Sequence, residues 1–184
     1  KKYHGEESCT ILQCKDYRKD KRDLRTEEYR TYSHYPPTSV DIDLLASHIR
    51  LLTSGLVIDW SPGGVADALL QITPSPLIIV EGASMIVLQE LPTLYNASVY
   101  VETPEPVRYR RYLRAVEQSS GDLVPQAAQA WQETIQPFYH QFVEPCKKIA
   151  DVTVDALTLS ADHIPVIWGA IAGALEEDTR ELTE

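Results

Sequence analysis

Leu77-Ile78-Ile79-Val80-Glu81-Gly82 opens the stretch that decides how this chain folds, and Glu144-Pro145-Cys146-Lys147-Lys148-Ile149-Ala150-Asp151 closes it. The first segment is a continuous apolar run set off by Pro74 and Pro76 and ended by one acid and a glycine. Its short length and lack of polar alternation predict a parallel strand buried on both faces. Downstream the patterns alternate: helix over Met85–Leu91, strand over Ala97–Val101, helices over Pro106–Gln118 and Pro125–Glu144, strand over Asp151–Val154, helix over Ile164–Leu175. Such alternation predicts an α/β fold, a mostly parallel sheet flanked by helices.

Upstream, Ser8–Gln13 reads as a short strand, and the charged segment that follows to Arg30 as loop plus solvated helix. Tyr32–Pro37 is expected to be irregular, because Pro36 and Pro37 remove backbone donors and restrict their neighbours. Val40, Leu44, Leu45, Ile49 and Leu52 fall at helical spacing, which predicts a helix over Ser39–Thr53 with Gly55 placed to end it. Leu56–Ile58 is expected as a short strand before a turn at Ser61-Pro62-Gly63-Gly64.

The 184 residues suffice for one domain, expected over residues 1–175, with an acidic tail over 176–184. An apolar content of 43% against 24% charged residues is that of an ordinary globular protein. The net charge of −10 argues against direct nucleic-acid binding, which needs a basic face. No apolar run is long enough for membrane insertion. Cys9, Cys14 and Cys146 are odd in number and lack the spacing of a zinc site, so an intracellular, reducing compartment is expected, cytoplasm or organelle matrix. No leader pattern opens the chain, and its first residue is not Met.

Between the two segments quoted first, Ser98-Val99-Tyr100-Val101-Glu102-Thr103-Pro104-Glu105-Pro106-Val107-Arg108-Tyr109-Arg110-Arg111-Tyr112-Leu113-Arg114 reads as strand, acidic turn and helix. Arg108, Arg111 and Arg114 recur at every third position with Arg110 alongside, so several guanidinium forks share a helix face suited to phosphate oxygens. Taken together, these segments resemble the uridine kinase and phosphoribulokinase family of P-loop kinases, as a degenerate or N-terminally truncated member. The resemblance implies a three-layer P-loop-type α/β fold. It also implies a magnesium-positioning role for Glu81, in keeping with the preference of Mg²⁺ for hard oxygen ligands, and nucleotide contacts from Arg108, Arg110, Arg111 and Arg114.

Other positions depart from the family pattern. The phosphate-binding loop G-x-x-x-x-G-K-[ST] is absent from the 184 residues, and the resemblance would put it upstream of Lys1. Family members follow the second strand with an acid that serves as general base and an aromatic–tyrosine pair. In Gln13-Cys14-Lys15-Asp16-Tyr17-Arg18 the simplest alignment puts Cys14 in the acid's place, leaves Asp16 as the candidate base on a re-registered loop, and makes Tyr17 a candidate substrate contact. The substrate-gripping stretch becomes His34-Tyr35-Pro36-Pro37-Thr38-Ser39-Val40-Asp41, with Tyr35 for the ribose-binding acid and Asp41 matching the acid that opens the helix. Glu117-Gln118-Ser119-Ser120-Gly121-Asp122 carries serines and glycine where relatives have further arginines. Trp60 is expected to be a packing residue rather than a stacking platform, and His48 and His140 are expected to be polar-face or satisfied packing residues.

These losses at separate steps favour a catalytically inactive pseudokinase, a structural or regulatory subunit whose partners are other protein subunits. Two further readings stand beside it. One is an ATP-dependent nucleoside or small-alcohol kinase using ATP and Mg²⁺, with Asp16 as base. The other is a nucleotide or phosphometabolite sensor working through the arginines.

Overall fold

The computed structural model describes residues 9–19, 39–61, 69–83, 91–120, 124–158 and 160–181. The expected turn at Ser61-Pro62-Gly63-Gly64, the irregular Tyr32–Pro37 stretch and the helix expected over Met85–Leu91 lie largely outside those residues, as does the charged segment from residue 20 on. The chain falls into two compact units, Lys1–Leu94 and Tyr95–Glu184.

In the first unit, β1 (Cys9–Gln13) pairs in parallel with β4 (Leu77–Glu81), from Cys9 opposite Leu77 to Gln13 opposite Glu81. Parallel strands need a long crossover, and here it carries helix α1 (Ile42–Thr53) and an antiparallel pair, β2 (Ile58–Trp60) with β3 (Leu70–Ile72). Of these, β3 escapes the sequence reading, and β2 begins where the strand expected at Leu56 was to end. The sequence predicted β4 sealed on both faces; it is half-buried instead, with Ile79 40% exposed.

Helix α1 turns Ile42, Leu45, Ala46, His48, Ile49 and Leu52 inward, one stripe at helical spacing. Leu44, expected on that stripe, lies about 100° round the helix from Leu45 and is partly exposed. The helix ends in a Schellman motif: Gly55 takes a φ of 78°, its N–H reaches the Leu52 carbonyl, and the Leu56 N–H reaches that of Leu51. At its start, an Asp41 carboxylate oxygen accepts the Leu44 N–H at 3.0 Å. Asp41→Ala therefore loses an N-cap and is expected to lower stability by about 1 kcal/mol, read as a shift in the urea midpoint, while Asp41→Asn stays close to the parent protein.

In the second unit, β5 (Val99–Glu102) pairs in parallel with β6 (Val152–Asp155). The crossover holds α2 (Glu105–Ser120), α3 (Val124–Ala130), and a helical continuation that alternates wide and tight turns: π-helical Trp131–Ile135, the short α4 (Gln136–Phe138), π-helical Tyr139–Val143, and 3-10 Glu144–Lys148. Asp151 sets the strand register. One of its carboxylate oxygens accepts from the Ser98 N–H at 2.6 Å and the Ser98 hydroxyl at 2.5 Å, just ahead of β5 and β6. The last helix, α5, spans Ile164–Glu181 and carries on into the acidic stretch expected as a tail. Among the described residues no helix is long and apolar enough to cross a membrane.

Candidate functional site

Parallel α/β sheets place ligands beyond the carboxyl ends of their strands. In the first unit that position is formed by Gln13 and Glu81, partners in register at the ends of β1 and β4, and by the 3-10 turn Cys14–Tyr17. Three residues singled out from the sequence, Asp16, Tyr17 and Glu81, thus gather around Cys14. Glu81 is exposed, Asp16 half-buried, and Cys14 and Tyr17 buried.

The Cys14 thiol is pushed up to about 11, by burial first and next by the charge of Glu81, with Arg18 opposing. At neutral pH it is a protonated thiol. A group in that state neither accepts a proton from a substrate hydroxyl nor attacks as a nucleophile.

Tyr17 is committed to packing. Its ring stacks on Trp60 with centroids 4.6 Å apart and planes 16° from parallel, and its hydroxyl lies 3.0 Å from His48 Nδ1. Burial raises the phenol, with Asp16 adding to the effect, and burial lowers the His48 imidazole against the pull of Asp41. Both groups therefore stay neutral, and a protonated phenol is suited to donate to an unprotonated Nδ1. Backbone bonds from Asp41 N to Tyr17 O and from Lys19 N to Ser39 O tie the turn to the start of α1. Asp41, expected to contact substrate, thus lies close to Tyr17, with its carboxylate capping α1. Trp60 and His48 are packing residues, as expected.

The arginines lie in the second unit, and the structure divides them. Arg108 Nε donates to the Thr103 carbonyl at 3.0 Å, and its guanidinium carbon sits 3.4 Å from the centroid of the Tyr139 ring and 5.8 Å from that of Trp131. Tyr139 is held in turn by a 2.6 Å contact between its hydroxyl and that of Tyr100. Arg110, Arg111 and Arg114 are exposed, and Arg110 and Arg114 border a shallow concavity with Tyr109, Leu113 and Glu117. Farther along α2, the Ser119 hydroxyl bonds back to the Ala115 and Val116 carbonyls. Sequence reasoning missed the Arg108–Tyr139 and Ser98–Asp151 contacts. Their partners lie 31 and 53 positions apart, and no periodic pattern links such distant residues.

The model of the phosphoribulokinase / uridine kinase family matches residues 3–161. A uridine kinase of Vibrio cholerae serotype O1 is 28% identical over 165 residues, covering 87% of this chain and 78% of that protein. One from Streptococcus thermophilus is 25% identical over 180 residues, covering 95% and 85%. A solved structure titled as a possible uridine kinase from Bacillus stearothermophilus aligns with a TM-score of 0.47 at 17% identity, over 80% of this chain and 72% of that one. The chain belongs to the phosphoribulokinase / uridine kinase family.

That family implies ATP and Mg²⁺ where its members are active. Among the described residues no three His, Cys, Asp or Glu side chains come together as a metal cage. Mg²⁺ does not need one, since it is usually held by one or two carboxylates together with phosphate oxygens and water, and Glu81 at a strand end fits as one such carboxylate.

Proposed function

We propose that this chain is a uridine-kinase-like protein that does not transfer phosphate and acts as a structural or regulatory subunit of a larger assembly. The observation that carries this reading is Cys14, a buried, protonated thiol in the place that the family alignment gives to the general base. Loss of a general base alone costs phosphoryl transfer roughly 10²- to 10⁴-fold. The commitment of Tyr17 to His48 and Trp60, and of Arg108 to Thr103 and Tyr139, supports the same reading. Each is a group that the resemblance assigns to a reactant and that instead holds the protein together. ATP and Mg²⁺ belong to the active kinase alternative, and on this reading the protein uses no cofactor.

One observation favours the kinase alternative: Asp16 lies half-buried in the same turn, near enough to raise the Cys14 thiol. The experiment that separates the two follows labelled phosphate from ATP and Mg²⁺ onto uridine, cytidine and simple sugar alcohols, using the native full-length protein. The expected result is no transfer above the rate without protein. Transfer that is abolished by Asp16→Asn would replace the subunit reading with the kinase one.

A further inference from the structure

We propose that His163 makes the start of α5 a pH-sensitive latch, closed while its imidazole is neutral and opened when the ring takes up a proton. The device is independent of phosphate transfer and stands whether or not the chain is a kinase.

Helix α5 is entered through a 3-10 turn, Ala161–His163, capped by Ser160. The Ser160 hydroxyl accepts the Asp162 N–H at 3.3 Å, and the Ser160 N–H donates to His163 Nδ1 at 3.2 Å. These reciprocal bonds form a capping box. Such a box is ordinarily built from Ser or Thr with Glu or Gln three residues on. Here the sequence is Ser160-Ala161-Asp162-His163, and a histidine stands where the acid or amide would be. A backbone N–H can only donate, so Nδ1 accepts through its lone pair and the ring proton sits on Nε2.

The exchange of residue type adds a switch. Glutamine keeps an acceptor oxygen at every pH, whereas both nitrogens of a protonated histidine are donors. Protonation therefore takes the partner away from the Ser160 N–H. It also sets a positive charge in the first turn of a helix, where the dipole favours anions. Asp162 is the one other titratable group between Ser160 and Gly173, and its carboxylate lies 3.2 Å from the Ser160 hydroxyl. Its charge attracts the imidazolium and so favours protonation of the ring. The strand in contact with α5, β6, carries one titratable group, Asp155, whose carboxylate accepts the Leu157 N–H at 2.8 Å.

The consequence falls on α5 itself. Pro165 has no N–H to add to the helical ladder, and Val166 and Trp168 are 58% and 44% exposed. Little burial holds these first turns once the cap is lost. Acid thus frays the helix from its start and loosens the join between β6 and α5.

Amide hydrogen exchange followed by NMR on the native full-length protein tests this. Protection of the Val166, Ile167 and Trp168 amides, corrected for the intrinsic pH dependence of exchange, is expected to fall about fivefold between about pH 8 and about pH 5, the worth of a typical cap across the range in which histidine titrates. The fall is expected to follow the ring resonances of His163. His163→Gln keeps the box with an oxygen that does not titrate, and its protection is expected to stay level over that range. His163→Ala is expected to show the lower protection at both ends. Protection in the parent protein that stays level while the His163 ring titrates would overturn the inference. So would a fall that persists in His163→Gln, or a His163→Ala variant as well protected as the parent at the alkaline end.

Discussion

Replacing Trp60 with alanine is expected to destabilise the first unit by about 3–5 kcal/mol, the cost of truncating a large buried aromatic whose surroundings relax only in part. Trp60 is 8% exposed and ends β2 with its ring flat against Tyr17 and edge-on to His48 at 6.0 Å. Removing the indole leaves the Tyr17 ring without its stacking partner and opens a void beneath α1. Tyr17→Phe is a finer cut through the same cluster. It keeps the ring and takes away only the hydroxyl, leaving His48 Nδ1 buried without that partner, at about 1–3 kcal/mol. Urea unfolding followed by tryptophan-independent circular dichroism measures both, since a midpoint that shifts at constant slope reports stability alone. If Trp60→Ala left the midpoint in place and instead abolished binding of a nucleobase, the tryptophan would be a ligand platform and the packing assignment would be wrong.

This cluster also shows where the sequence was legible and where it was not. Local patterns carried the element types well. The apolar run at Leu77–Val80 forms a parallel strand, the periodicity after Val40 forms a helix, and Gly55 ends it in the left-handed conformation that glycine adopts without strain. What failed was burial within an element. Leu44 looks as apolar as Leu45, and only the position of the neighbours decides which of the two faces inward. Short pairings were hard as well: β3 is Leu70-Gln71-Ile72, three residues whose strand character comes from lying opposite Ile58-Asp59-Trp60. For the candidate site, family pattern singled out Cys14, Asp16, Tyr17 and Glu81 one by one, and the pairing of β1 with β4 brings their segments together. The pattern did not reveal that Tyr17 is occupied by partners 31 and 43 positions away. A motif fixes which residue types stand at which spacing, whereas engagement depends on contacts distant in sequence.

The arginines of α2 make the same distinction in a form that measurement can resolve. Trp131→Ala is expected to cost the second unit about 3–5 kcal/mol, and Arg108→Ala about 1–2 kcal/mol. Trp131 is buried where the helical run widens into its first π-helical turn, with Tyr109 and Tyr112 of α2 at 5.3 and 5.6 Å between ring centroids. Arg108 passes from α2 toward this group, its guanidinium over Tyr139 and its Nε on the Thr103 carbonyl just past β5, so that one side chain joins strand end, helix and aromatic cluster. Lysine lacks the planar fork that stacks and bonds at once, so Arg108→Lys is expected to recover little of the loss. Arg110→Ala, Arg111→Ala and Arg114→Ala should leave the unfolding midpoint where it is, because these exposed side chains touch no such network. Equal thermal and urea midpoints for all four alanine variants would mean that Arg108 is no more structural than its neighbours, and the division of the arginines into one that holds the fold and three that lie exposed on α2 would fail.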